Sequence, residues 1–193
     1  MIELAVSMTV VLILTAIAIP SMMRSIRTYQ LNDAASRFAD MLKFTRFEAV
    51  RKNRQVCFRM QQNGTTWTLG TDSSGAGSTC SGNFDAIGKQ EVLAGFAALL
   101  PPGGMPGQGP ICNKLFNNGG PCLNTTLSGN TGSVGFDPRG AIRVGGTISA
   151  NVYVFYFGNA SDPEFGYRAV LLLPAGSTQI WTAPQGGPWQ QIS

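Results

Sequence analysis

An apolar stretch near the start of the chain constrains the fold more than any other feature. Residues 4–23 form a run of 20 residues without a charged side chain, preceded by Glu3 and containing Pro20. As an α-helix this run is about 30 Å long, which matches the hydrocarbon thickness of a bilayer. Nine of its residues are Leu, Ile or Val, and they favour insertion by about 3–5 kcal/mol. The run therefore predicts a membrane-length helix with one carboxylate at its edge.

The helical pattern continues beyond Pro20. Small and apolar side chains recur at three- and four-residue steps, which predicts one buried stripe composed of Ile26, Leu31, Ala34, Ala35, Phe38, Leu42, Thr45 and Ala49. Charged side chains fall mostly on the other side, and they include Arg27, Asp33, Arg37, Asp40, Lys43, Glu48 and Arg51. Two acid-before-base pairs at i,i+4 add support, Asp33–Arg37 and Glu48–Lys52. We predict a helix over residues 1–53, of which residues 1–23 are a transmembrane or filament-core segment.

The rest of the chain, residues 54–193, has the pattern of a β-rich head. Alternating apolar residues separated by turn residues predict strands in three stretches, residues 55–70 (a hairpin), 133–158 and 167–183. Residues 90–100 fit either a strand or a short helix, and residues 113–132 are predicted to be loop. The fold class predicted from the residues is therefore α+β.

Four cysteines, Cys57, Cys80, Cys112 and Cys122, all follow the apolar run. They form no C-x-x-C pair, and the chain has no histidine to complete a Cys–His metal site. An even number after an export-like N-terminus predicts two disulfides, each contributing about 3 kcal/mol. Three pairings are possible, and we favour Cys57–Cys80 and Cys112–Cys122 because each joins nearby segments. The alternative is four reduced cysteines in a cytosolic protein.

The absence of histidine argues against an enzyme. It excludes Ser–His–Asp and Cys–His catalysis and makes an ordinary zinc site unexpected. A Ca²⁺ loop at Asp162 and Glu164, or a hydrolytic carboxylate pair such as Asp137 and Glu91, has little support because no regular ligand or acid–base pattern surrounds these residues. We predict no catalytic residue, no metal and no cofactor.

Positive charge is concentrated in the predicted helix. Eight of the 14 basic residues lie between Arg24 and Arg54, where three acids accompany them. Such a stripe can contact the phosphates of nucleic acid or lipid. Because acids alternate with the bases, a solvated or subunit-contacting face is the favoured interpretation.

The N-terminal sequence MIELAVSMTVVLILTAIAIPS resembles type IV pilins and type II secretion pseudopilins. Residues Met1-Ile2-Glu3-Leu4 match the [LM]IEL core of these proteins, and Pro20 lies 17 residues after Glu3, as in their pattern. Two later stretches, FTRFEAVRKNRQVCFRM and VGFDPRGAIRVGGTI, resemble the FimT/GspH-type subgroup. The resemblance implies a pilin-like fold, in which a long N-terminal helix packs on a β-rich head.

The resemblance also implies a function. The chain would be a structural subunit of a type IV pilus-like extracellular filament, held in the bacterial inner membrane before assembly and then displayed on the cell surface. Its partners would be copies of itself or other pilins. The alternatives are a minor pseudopilin of a type II secretion system, a minor pilin for DNA uptake, and a monomeric membrane-anchored head. Some DNA-uptake pilins carry a basic motif where this chain has the uncharged residues Gly176, Ser177, Thr178 and Gln179, so nucleic acid is not an expected partner.

Three residues are predicted to serve assembly: Glu3, Pro20 and Met1. Away from water an unpaired carboxylate is strongly disfavoured, so Glu3 would pair with the α-amino group of a neighbouring subunit and set the register. Proline lacks a backbone donor and clashes with the preceding turn, so Pro20 would bend or locally unwind the helix. The sequence allows two other interpretations. Pro20 would simply end a membrane anchor, or residues 16–18 would be the cleavage site of a signal peptide.

Overall fold

The computed structural model describes most of the chain, namely residues 2–72, 80, 88–93, 95–101, 105–117 and 122–192, with Pro20 described through its backbone. Two α-helices are present in these residues, α1 (Ile2–Arg51) and α2 (Gly109–Phe116). A 3-10 turn covers Pro163–Phe165. The thirteen described strands are β1 (Val56–Asn63), β2 (Thr66–Asp72), β3 (Lys89–Leu93), β4 (Ala98–Leu100), β5 (Leu123–Asn124), β6 (Leu127–Ser128), β7 (Thr131–Phe136), β8 (Ile142–Val144), β9 (Thr147–Ile148), β10 (Val152–Gly158), β11 (Tyr167–Leu172), β12 (Thr178–Ala183) and β13 (Gln190–Gln191).

Helix α1 is continuous over 50 residues. Its helical structure passes through Pro20 without interruption. The predicted buried stripe is confirmed from Leu31 to Ala49. For Ile26 the prediction is wrong, since its side chain is 39% exposed. The head, as we call the described residues between 54 and 192, covers that face of the helix only from Leu31 onward.

The head contains two sheets. The first has the strand order β3-β2-β1-β7-β8-β9, with β6 paired to β7, and the second has the order β13-β12-β11-β10-β4, with β5 paired to β10. The predicted hairpin of β1 and β2 is confirmed, with Asn63 opposite Thr66 at the turn. The pairs β10–β11 and β11–β12 are antiparallel as well. The structure is thus α+β, as the sequence predicts.

The main core lies between α1 and the two sheets. Phe38 is at its centre, and its ring centroid is 5.1 Å from that of Phe58 in the first sheet. On the other side it lies 4.8 Å from Phe155 and 5.1 Å from Phe157 in the second sheet. Helix residues from Leu31 to Ala49 belong to the same cluster of buried side chains. The second half of α1 is therefore an integral component of the head's core.

The chain between β4 and β7 departs from its predicted loop structure. Residues 113–132 are predicted to be loop, but they contain the end of α2 and the short strands β5 and β6. The helix forms because Ile111 and Cys112 are fully buried, with Ile111 in a second apolar cluster that also contains Trp181 and Trp189. Residues 90–100 supply two strands, β3 and β4, which join different sheets.

Candidate functional site

The apolar segment, defined as residues 2–23, is not covered by any described residue of the head. Its large side chains are exposed along its whole length, and they include Ile2, Leu4, Val6, Met8, Val10, Val11, Leu12, Ile13, Leu14, Ile17, Ile19, Met22 and Met23. The helix is long and apolar enough to cross a membrane, by length and composition. Exposed apolar surface of this extent indicates a binding surface for lipid or for other protein.

Three hydroxyl groups of the apolar segment are satisfied within the helix. Ser7 Oγ donates to the Glu3 carbonyl at 2.8 Å, and Thr9 Oγ1 donates to the Ala5 carbonyl at 2.8 Å. Thr15 Oγ1 donates in the same way to the carbonyl of Leu12 at 3.0 Å. Because their protons are already donated, these three groups do not need water as a partner. This stretch of the segment therefore suits an apolar environment.

Of the three predicted assembly residues, two lie within the described chain. Glu3 is in the first turn of α1 and is exposed. A carboxylate at this position interacts favourably with the positive end of the helix dipole. Pro20 lies near the other end of the apolar segment, and Met1 lies outside the described residues. Glu3 and Pro20 are therefore at opposite ends of one exposed apolar surface.

A buried arginine fixes the helix to the second sheet at the level where the head begins. Arg168 of β11 is 6% exposed, and its Nε donates to Asn32 Oδ1 of α1 at 2.6 Å. Its Nη1 donates to the Tyr167 carbonyl at 2.9 Å. Burial lowers the pKa of the Arg168 guanidinium. The sequence did not reveal this contact, because an asparagine and an arginine that are 136 residues apart carry no local signal.

A second contact fixes the distal end of the helix. Arg46 Nε donates to the Gly140 carbonyl at 3.2 Å, and a side chain on Gly176 would collide with that carbonyl. Gly176 also has a φ of +77°, which disfavours residues with a Cβ atom. The backbone N–H of Ile142 reaches the Pro174 carbonyl at 3.3 Å. The turn after β7 and the turn after β11 therefore meet on the helix.

Glu48, predicted to be on the exposed side, is buried. Its carboxylate accepts from Arg51 Nη2 at 2.9 Å and contacts Lys52 Nζ at 3.1 Å. The hydrogen bond from Arg51, followed by the contact with Lys52, lowers the pKa of Glu48 against the opposing effect of burial. Burial is tolerated here because two cations compensate the charge. The predicted pair Asp33–Arg37 is also formed, at 2.8 Å.

Both predicted disulfides are present. Cys57 of β1 is bonded to Cys80, and Cys112 of α2 is bonded to Cys122 just before β5. The second disulfide holds α2 beside the second sheet. The alternative of four reduced cysteines is wrong.

The head offers no cluster of metal-binding groups within the described residues. No group of three or more His, Cys, Asp or Glu side chains occurs together in those ranges. Asp137 accepts hydrogen bonds from the backbone N–H groups of Arg139 and Ala141, at 2.9 and 2.8 Å. It thereby stabilises a tight turn. A buried ion pair, Arg59–Asp72 at 2.8 Å, was not predicted, because the pairing of β1 with β2 brings its partners together and no local charge pattern records it.

The uncharged turn at Gly176, Ser177 and Thr178 lies in a groove of about 590 Å³ whose other side is the helix face of Lys43, Arg46, Phe47 and Val50. The turn itself contributes no cation to this groove. Helix α1 supplies the two cations, and one of them, Lys43, is paired with Asp40 at 3.2 Å.

Comparison with known proteins decides the family. The sequence model of the family described as type II transport protein GspH matches residues 34–176, which is well over half of the 193-residue chain. The chain belongs to the GspH family. This family consists of structural pilins and pseudopilins. The match covers the second half of α1 and most of the head, so it supports a pilin or pseudopilin structural subunit that assembles with other pilins in a filament.

The similar solved structures share less than 20% of their sequence with this chain, so the family rests on the GspH match. The type IV minor pilin FimU of Pseudomonas aeruginosa is 17% identical, with a TM-score of 0.45 over 84% of this chain and 98% of that chain. The minor pseudopilin EpsH from the type 2 secretion system of Vibrio cholerae is 12% identical, with a TM-score of 0.33 over 85% and 97%. No curated protein gave a significant match.

Proposed function

We propose that this GspH-family chain is a subunit of a pilus-like extracellular filament, in which the apolar segments pack together and the heads lie outside. The observation that carries the proposal is the exposed apolar segment on a helix whose second half is fixed in the head's core. A subunit of this shape can bury its apolar surface only against lipid or against other apolar segments. Before assembly the segment would reside in the bacterial inner membrane.

Glu3 would set the register between subunits. In an apolar filament core its carboxylate needs a positive partner, and the α-amino group of a neighbouring chain is a group of the right charge at a fixed position in every copy. Pro20 would provide the bend that lets the segment follow its neighbours, since proline weakens the helix locally.

The chain would be divided into two functional regions. The first region is residues 1–53, which contain the assembly helix α1 and, in residues 1–23, its transmembrane or filament-core part. The second region is residues 54–193, which would face the outside. The helix residues from Leu31 to Ala49 belong structurally to the head as well, because they are buried against both sheets. They would therefore hold the head in a fixed position relative to the filament core.

A charge-removal series at Glu3 tests the proposal. We expect Glu3→Ala and Glu3→Gln to reduce the amount of this chain in sheared filaments by about tenfold or more, because each leaves a buried amino group without its partner. Immunoblotting of the sheared fraction, with electron microscopy of the cell surface, measures this. Asp40→Asn is the matched control, since it removes an exposed carboxylate elsewhere on α1. Incorporation of the Glu3 variants at the level of the control would contradict the proposal.

A second candidate function is that of a minor pseudopilin in a type II secretion system. The description of the matching family as a type II transport protein favours it. Deletion of the chain separates the two candidates. Loss of protein export with unchanged surface filaments indicates the pseudopilin, whereas loss of filaments with normal export indicates the pilus subunit.

A DNA-uptake pilin is the least favoured alternative. Residues 176–178 bring no cation to their groove. Nucleic-acid binding would be recognised by an affinity that falls steeply as salt is raised.

A further inference from the structure

A small cleft lies where α1 emerges from the head. Arg24 and Thr28 of the helix form one side, Glu164 and Phe165 of the 3-10 turn form the other, and the cleft has a volume of about 310 Å³. It combines a cation, a hydroxyl group, a carboxylate and an aromatic ring. The sequence does not suggest this combination, because the tertiary fold alone brings Glu164 beside the start of the amphipathic half of the helix.

The aromatic wall of the cleft is held in place by the core. The Phe165 ring packs edge-on against Phe96, with ring centroids 5.1 Å apart. The guanidinium of Arg27 lies over Phe96, 4.6 Å from the ring centroid, and its Nη1 also donates to Gln30 at 3.3 Å. Arg27 is thus engaged, and the Phe165 side of the cleft is fixed by packing.

The two charged groups of the cleft are available for a ligand. Within the described ranges of the chain, neither Arg24 nor Glu164 takes part in a salt bridge. Both side chains are exposed, and Thr28 is half-buried beside them. A ligand that carries one negative and one positive group would match both charges at once.

The position of the cleft along α1 is that of lipid headgroups. Arg24 is the first residue beyond the uncharged run, and Thr28 follows four residues later. At 1.5 Å per residue they lie about 1.5 and 7.5 Å past the end of the run. The headgroup layer on each side of a bilayer is about 5–7.5 Å thick. With residues 4–23 in the hydrocarbon, the cleft therefore lies at the level of this layer.

We propose that the cleft binds the phosphoethanolamine headgroup of a membrane phospholipid. The phosphate accepts from the Arg24 guanidinium and the Thr28 hydroxyl, and the ammonium donates to the Glu164 carboxylate while Phe165 covers the intervening carbons. A headgroup with only negative charge is repelled by Glu164, and a quaternary ammonium has no N–H to donate to it. The inference rests on the proposed membrane residence of the chain.

Lipid titration of the full chain tests the site. Isotope-labelled protein in uncharged detergent micelles is titrated with short-chain phosphatidylethanolamine, phosphatidylcholine or phosphatidylglycerol, and binding is followed by the amide NMR signals of Thr28 and Phe165. We expect phosphatidylethanolamine to bind about fivefold more tightly than the other two, corresponding to about 1 kcal/mol for one exposed charge pair. Glu164→Gln should abolish this preference, Arg24→Gln should weaken all three lipids, and Asp40→Asn should change nothing.

Three results would overturn the inference. The first is equal affinity for the three lipids, and the second is an undiminished preference for phosphatidylethanolamine in Glu164→Gln. The third is that soluble phosphoethanolamine binds as tightly as phosphatidylethanolamine, which would mean that the ligand is a free headgroup compound. Membrane residence is checked separately by flotation with phosphatidylcholine vesicles, and assembly by the Glu3 variants. A Glu3→Ala chain that fails to assemble but keeps the lipid preference upholds the inference. If flotation and assembly are normal but the preference for phosphatidylethanolamine is absent, the lipid inference is wrong and the proposed function is unaffected.

Discussion

Helix α1 is uninterrupted, but the side chains of its first half are exposed whereas one face of its second half is buried in the head. Leu12, in the apolar segment, is 69% exposed, whereas Phe38 and Leu42, in the second half, are completely buried. The first half is the more apolar of the two by sequence, yet no described residue of the head covers it. The comparison shows that the amphipathic half supplies side chains to the head's core, while the apolar segment contributes none to it.

Truncation at two points gives the largest expected difference between the halves. A chain lacking residues 1–23 should fold, keep both disulfides and unfold cooperatively. A chain lacking residues 1–53 should not fold, because it loses the buried helix residues Leu31, Ala34, Ala35, Phe38, Ala39, Met41, Leu42 and Ala49. Each large apolar side chain contributes about 1.5–3 kcal/mol on burial, and total stability is about 5–15 kcal/mol. Circular dichroism during heating measures the difference.

A cooperative transition in the shorter chain would show that the sheets fold without the helix, and the comparison between the two halves would then fail.

Matched alanine substitutions make the comparison quantitative. Phe38→Ala should lower the free energy of unfolding of the full chain by about 3–5 kcal/mol, because it leaves a cavity among Phe58, Phe155 and Phe157. Leu12→Ala should change it by less than about 0.5 kcal/mol, since its side chain is exposed. Denaturant titration in detergent, followed by the fluorescence of the tryptophans buried in the head, measures both. A similar loss in the two variants would mean that the apolar segment also supports the head.

The smallest expected effect concerns acid stability at the end of the second half. The pKa of Glu48 is lowered from 4.5 in the folded chain by its hydrogen bond to Arg51 and its contact with Lys52. The stabilisation is therefore fully present above about pH 4.5 and is lost as the pH falls through the lower folded pKa. Glu48→Gln should flatten this region of the pH dependence of unfolding, measured by denaturant titration at a series of pH values. If the free energy of unfolding of the variant depends on acid pH as that of the original chain does, the Glu48 carboxylate has the same pKa in the folded and unfolded states.

Much of the fold follows from local patterns in the sequence. The apolar run and the continuing stripe predict α1, because helical periodicity is a local property. Alternating apolar residues, separated by turn residues, predict the hairpin of β1 and β2 and the strands β10 to β12. The favoured disulfides, Cys57–Cys80 and Cys112–Cys122, are found because each joins segments that are near in sequence. The missed helix α2 is short, and its formation depends on Ile111 packing on a sheet that the sequence does not place.

The sequence by itself determined the long helix α1, with Glu3 and Pro20 at the two ends of its apolar segment, the β-rich head and the absence of histidine chemistry. These features depend on residue type and near spacing. The tertiary structure decided which half of the helix is covered, how Arg168 reaches Asn32, and how Glu164 and Arg24 come to line the same cleft. Such contacts join residues more than about 100 positions apart, and their energy depends on the packing of two sheets around the helix. No local pattern records that arrangement.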